Sequence, residues 1–195
     1  MIGAPESPGA DTLGIPALGW FSSTLPGMDA LSTGSQKRHP GIGEVLTIAR
    51  RYCELIDASG SDRPGWLREV ANLLPRLHAA MTSVHYKAPE GSHDHPVSLD
   101  ARFELYSHLR ELLADRDGYF LEFDRCQDGA EDMTGSLADD LTDIYCELKH
   151  GLRAFESNPG PALETWVLGY EWHWSQHLAD ASRHLANLDA ARRLD

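Results

Sequence analysis

From Gly43 onward, apolar residues recur every three to four positions, the spacing of helices that bury one face. Val45, Ile48, Ala49, Tyr52, Leu55 and Ile56 form the first run, which Ser59-Gly60-Ser61 breaks. A second run opens with Asp62 as N-cap and Pro64 in the first turn, then carries Trp66, Leu67, Val70, Leu73, Leu74, Leu77 and Met81. Pro75 inside it predicts a kink. After a polar loop over 85–97, Ser98 can cap a third helix with Leu99, Phe103, Leu105, Tyr106, Leu109, Leu112 and Leu113 as its stripe, ended by Asp117-Gly118. The stretch 119–123 reads equally as a short extended segment or a helical turn, and an acidic loop follows it. Ser136 caps a fourth helix whose apolar face is Leu137, Leu141, Ile144, Leu148, Leu152 and Phe155, with Asp139 and Asp140 in the first turn, where the helix dipole favours them. It stops near Asn158-Pro159-Gly160. A long fifth helix, from about Pro161 to Ala191, has Leu163, Trp166, Tyr170, Trp174, Ala181, Leu185 and Leu188 as its inner stripe. Five helices with short connections predict an all-α fold, a single antiparallel bundle.

Residues 1–40 break this pattern. Pro5, Pro8, Pro16, Pro26 and Pro40 stand among Gly, Ser and Thr, a composition that buries too little surface to offset chain entropy. The expectation is a flexible N-terminal tail, disordered or loosely docked through Leu13, Ile15, Leu18, Trp20, Phe21 and Leu25, ahead of a helical domain over 41–195. No run reaches the roughly eighteen apolar residues that a membrane span requires, and no basic residues precede the apolar part of the N-terminus as a signal peptide would need. A net charge of -13 repels nucleic-acid phosphate and anionic lipid, so the partner to expect is a protein with a basic or neutral surface, or a second copy of the chain. Cys53, Cys126 and Cys146 are odd in number and form no CxxC pair, which fits reduced, buried thiols in a cytoplasm.

The blocks Tyr52-Cys53-Glu54-Leu55-Ile56, Leu73-Leu74-Pro75, Tyr119 with Phe123-Asp124, Ser136-Leu137-Ala138-Asp139-Asp140-Leu141-Thr142-Asp143-Ile144-Tyr145 and His173-Trp174-Ser175-Gln176-His177 resemble those of a bacterial family known as domain of unknown function 5063. The likeness runs from about Val45 to Leu188, and the last two blocks are its distinctive part. Arg125 stands where the family often has proline, and Ser175 where it often has glycine; neither change disturbs the fold the resemblance implies. That fold is all-helical, and the resemblance brings no catalytic residues with it.

Chemistry must therefore be read from the residues. On the fifth helix, His173, His177, Asp180 and His184 are spaced four, three and four apart, forming one stripe beside the apolar one, and His177 leans furthest into it. On the fourth, Asp140, Asp143 and Glu147 form a second polar flank, with Asp140 nearest the buried face. If the two helices pack side by side, Asp140, His173 and His177 could hold a divalent metal such as zinc, manganese or iron, with Asp143, Asp180 and His184 as alternates. Neither the Glu-x-x-His pairs of di-iron bundles nor His-Glu-x-x-His is present. The plainer reading is that a buried histidine donates to a carboxylate and satisfies both while the helices dock. A weaker His-Asp-His cluster, His93 to His95 with His85 nearby, lies in the loop after the second helix.

Asp139, Asp143 and Glu147 also read as an acidic face for a protein partner, or simply as a solvated helix face. Trp172 sits opposite the main stripe of its helix, which means that the helix is central or that it meets another molecule. No Gly-x-Ser-x-Gly elbow or Gly-rich phosphate loop exists. No motif demands a cofactor. The leading expectation is a non-catalytic adaptor-like or immunity-like interaction module, with a metal-binding protein or metal-dependent enzyme as the alternative.

Overall fold

Each helical periodicity in the sequence becomes a helix in the computed structural model, which describes residues 41–59, 64–84, 98–120 and 134–195. The expected tail, the Asp62 cap, the His85/His93/Asp94/His95 loop and the acidic loop lie outside the described residues. Helices α1 (Ile42–Asp57) and α2 (Trp66–Ser83) form an antiparallel pair. The Trp66 indole N–H at the start of α2 donates to the Leu55 carbonyl near the end of α1 at 2.7 Å, and Arg51 pairs with Glu69 at 2.6 Å. Helix α2 begins later than the sequence suggests, after Gly65 in a left-handed conformation, and its backbone stays helical through Pro75.

Helix α3 (Leu99–Leu113) is capped as expected: the Ser98 hydroxyl accepts from the Ala101 N–H at 3.4 Å. Its expected stripe is only half realised. Leu109 and Leu113 are buried, whereas Leu99 and Phe103 are 81% and 67% exposed. The reason is Arg102, which turns the first part of α3 towards α4 through a pair of ion pairs instead of through its apolar residues.

Helix α4 (Leu137–Ser157) is the hub, packing against α1, α3, α5 and α6. Ser136 caps it, accepting from the Asp139 N–H at 3.2 Å. Leu137, Leu141, Ile144 and Leu148 are fully buried, and each such side chain contributes about 1.5–3 kcal/mol. The single long helix expected over 161–191 is a continuous helical run made of α5 (Pro159–Gly169), a π turn (Tyr170–Trp174) and α6 (Ser175–Ala190). Helix α6 lies antiparallel to α2, with Arg68 reaching Asp189 and His78 reaching Tyr170. Against α5, Gly151 of α4 lets the Trp166 ring lie directly on the helix backbone, and an added Cβ would overlap that ring.

Of the ambiguous stretch 119–123, the described residues Tyr119 and Phe120 are extended. Beyond a short 3-10 turn (Ala114–Arg116), β1 (Gly118–Phe120) pairs antiparallel with β2 (Thr134–Ser136), placing Tyr119 opposite Gly135. The Asp117 carboxylate accepts from the Ser136 hydroxyl at 2.9 Å and from the Ala138 N–H at 2.8 Å, so this hairpin is pinned to the first turn of α4. Among the described residues, no helix is long and apolar enough to cross a membrane.

Gly151→Val should test the α4–α5 contact. The branched side chain must displace the Trp166 ring, so unfolding by urea is expected to show a loss of about 1–3 kcal/mol, whereas Gly160→Val, with open space around the site, should cost far less.

Candidate functional site

The first half of α4 meets the π turn and the start of α6 in one seam, on which Asp140, Asp143, Glu147, His173 and His177 converge. Asp140, Asp143 and Glu147 all point inward, Glu147 with only 2% of its surface exposed. The acidic row is therefore not a solvated face. Opposite it, His177 lies between two carboxylates: its Nδ1 is 2.9 Å from Asp140 Oδ1 and its Nε2 is 3.3 Å from Asp143 Oδ2. One turn away, His173 Nδ1 is 3.0 Å from Glu147 Oε1, and the two imidazoles meet edge to face at 5.0 Å.

Further groups complete the pairing. Arg102 Nε donates to Asp143 Oδ1 at 2.7 Å and its Nη2 donates to Asp139 at 2.9 Å, tying α3 to α4. The Tyr119 hydroxyl donates to Asp140 Oδ2, so the two oxygens of Asp140 serve one partner each. Burial pushes the Glu147 carboxyl up to about 7, against the opposing pull of His173. Asp140 is also raised by burial, opposed by its bonds from His177 and Tyr119. For His177, burial favours the neutral ring, but the bond to Asp140 and the nearby Asp143 charge outweigh it and hold the proton more tightly than usual.

Asp143, His173 and His177 each offer one ligand atom, and these three atoms lie within 4.8 Å of one another. The geometry thus brings Asp143 to the two imidazoles, while Asp140 stands behind His177 on its other nitrogen. The remaining expected alternates are engaged elsewhere. Asp180 accepts from Gln176 at 2.7 Å and from Arg183 at 2.8 Å; His184 is buried with Nε2 2.8 Å from the Arg116 carbonyl oxygen and its ring stacked on Tyr119 at 4.7 Å. Trp172 is 78% exposed, so its helix is not central.

On the Asp140 side of His177 lies a cleft of about 430 Å³, walled by Tyr106, Tyr119 and the β2 residues Thr134–Ser136, with Asp139, Asp140, Gln176 and Asp180 around it. Periodicity gave no warning of Arg102 or of the hairpin. Tyr119 stood in the resemblance without a role. Among the described residues, burial raises the Cys53 thiol to about 12 and the Cys146 thiol to about 11, which disfavours the nucleophilic thiolate at both.

A helical bundle with a histidine–carboxylate seam between two of its helices is the class these observations define. The chain belongs to the family described as Domain of unknown function (DUF5063), whose profile matches residues 37–191. Among solved structures it is similar to protein BF1032 from Bacteroides fragilis, at 20% identity and a TM-score of 0.61, over 76% of this chain and 92% of that one. That likeness shows the fold. No curated protein matches the chain. The two most distinctive blocks of the family resemblance, 136–145 and 173–177, are the two that face each other across the seam.

The raised carboxyls have a consequence for stability. Above an unfolded value of 4.5, the Glu147 carboxyl ionises in the unfolded chain while the folded chain keeps its proton up to about 7, so its contribution falls as pH rises through that window. His177 acts in the same direction: its contribution is complete below 6.5 and is lost as pH rises through its raised folded value. Chelator-treated protein should therefore melt at progressively lower temperature from pH 5 to pH 7, with Glu147 contributing a slope on the order of 1 kcal/mol per pH unit. Glu147→Gln should flatten that slope; an unchanged slope would show that Glu147 ionises normally.

Proposed function

We propose that this domain binds a divalent transition metal between α4 and the π turn, with Asp143, His173 and His177 as its protein ligands. The observation that carries the reading is the convergence of their three ligand atoms within 4.8 Å. The 3.3 Å between His177 Nε2 and Asp143 Oδ2 is long for a charged hydrogen bond, and it is close to the edge of a coordination tetrahedron with bonds of about 2.0–2.1 Å. Electrostatics favour a cation as well: Asp143 is buried beside the buried Asp140, and the Arg102 guanidinium that pairs with Asp143 also serves Asp139.

Two nitrogen donors and one carboxylate oxygen suit zinc, manganese or iron. Behind the ligands, Asp140 on His177 and Glu147 on His173 supply the carboxylate–histidine pairs that orient metal-bound imidazoles. Three protein donors leave a coordination position for water or substrate, as in catalytic metal centres, so the reading extends to a metal-dependent reaction.

A second reading, the docking of a basic or neutral protein surface, is supported by Trp172, which stands exposed one residue before His173. Of the acidic residues expected to share that role, Asp143 and Glu147 are buried, so this reading rests on Asp139 and Trp172.

Elemental analysis of the untagged protein, as purified and after chelation and reconstitution with zinc, manganese or iron, should find about one ion per chain. His177→Ala and Asp143→Asn should each abolish that stoichiometry. A wild-type protein that takes up none of the three metals would overturn the metal reading and shift attention to Trp172→Ala in partner capture.

A further inference from the structure

Within the seam, one residue that touches neither imidazole is held unusually firmly. The Tyr119 ring is stacked on the His184 ring with an interplanar angle of 27°, and His184 is in turn fixed with its Nε2 at the Arg116 carbonyl. Across the hairpin, Gly135 leaves the space that the Tyr119 ring fills, since a Cβ there would overlap the ring. The ring thus has one placement, and in that placement its hydroxyl donates to Asp140 Oδ2. The other oxygen of Asp140 faces His177 Nδ1 at 2.9 Å, which leaves Nε2 as the ring nitrogen turned towards Asp143.

We propose that Tyr119 is a positioning residue for the metal centre: by occupying one oxygen of Asp140, it commits the other to His177 Nδ1 and so presents Nε2 to the ion. The proposal rests on the metal reading above, and it makes the β1–β2 hairpin part of the site although the hairpin supplies no ligand. A ligand oriented by a hydrogen-bonded carboxylate binds more tightly than a freely turning one, because the ring's orientation and its protonated nitrogen are settled before the metal arrives. Without the tyrosine hydroxyl, the buried carboxylate can turn or share its oxygens differently, and the imidazole loses its guide.

Full-length wild type, Tyr119→Phe, Asp140→Asn and the double variant would be titrated with Co2+ and followed by visible absorption, with Zn2+ competition to fix affinities. Tyr119→Phe is expected to weaken Co2+ binding by about 10–100-fold and to change the absorption bands, whereas a merely structural tyrosine would lower melting temperature and leave the bands alone. Because both residues act through the same imidazole, the double variant should lose little more than Asp140→Asn alone. Wild-type affinity and bands in Tyr119→Phe, or losses that add fully in the double variant, would overturn the proposal.

The metal-free protein gives a separate readout by ring-nitrogen NMR. There the Nδ1 proton of His177 should be protected from exchange in wild type and should lose about tenfold or more of that protection in Tyr119→Phe. Failure of wild type to bind Co2+ or Zn2+ refutes the metal reading, while the exchange experiment still decides whether Tyr119 positions His177. Equal protection in the two proteins would count against it.

Discussion

Placing carboxylates inside a helical bundle is costly unless each is paired, at several kcal/mol for every unpaired charge. Helix α4 places three there, and the way each is satisfied fixes where its neighbours sit. Asp143 takes Arg102 and so draws in the start of α3. Asp140 takes Tyr119 and His177, binding the hairpin and α6 to the same side chain. Glu147 has His173 beside it and holds its proton up to about 7, so it avoids much of the penalty by staying neutral. Three separately encoded elements are thereby registered on one helix, with the leucines of α4 supplying the bulk of the burial around them.

This arrangement reconciles two readings of the histidines that otherwise compete. A buried imidazole that merely satisfies an acid and an imidazole that ligates a metal need the same neighbours, differing only in whether Nε2 of His177 carries a proton or an ion. The bundle has a continuous apolar core of its own, so its folding does not wait on a metal as that of a zinc finger does. In the proposed metal form the ion replaces a proton within an existing network and requires no new one.

Much of the fold was legible because helices announce themselves locally. The periodic stripes of α1 and α2, and that of α4 as far as Leu152, are buried as their spacing implies, and Ser98 and Ser136 cap the helices they precede. The stripe of α3 misled because periodicity counts apolar residues and gives no weight to Arg102, whose ion pairs orient the helix's first turns. The strands β1 and β2 span three residues each, too few for alternation to show. At the site, the histidines and acids were identifiable from their stripes. Which carboxylate meets which nitrogen depends on the approach of α6 to α4, so a helical wheel that puts Asp140 innermost does not foresee Asp143 beside Nε2. Tyr119 lies in a separate hairpin, and nothing in local sequence connects it to a histidine far along the chain.

The π turn between α5 and α6 sets the phase of everything beyond it. In an α-helix each residue advances the side-chain direction by about 100°, so positions eight apart do not share a direction, yet Trp166 and Trp174 are both buried in the core. The wide turn at Tyr170–Trp174 absorbs one residue without a matching rotation, letting the apolar stripe of α5 and that of α6 face the same interior. The phase of α6 thus depends on the wide winding of this turn. Winding the same residues as a regular α-helix would rotate α6 by about 100°, carrying His177 away from Asp140 and turning Leu178 and Leu185 towards solvent, whereas removing the one extra residue would restore the regular ladder with α6 still in phase.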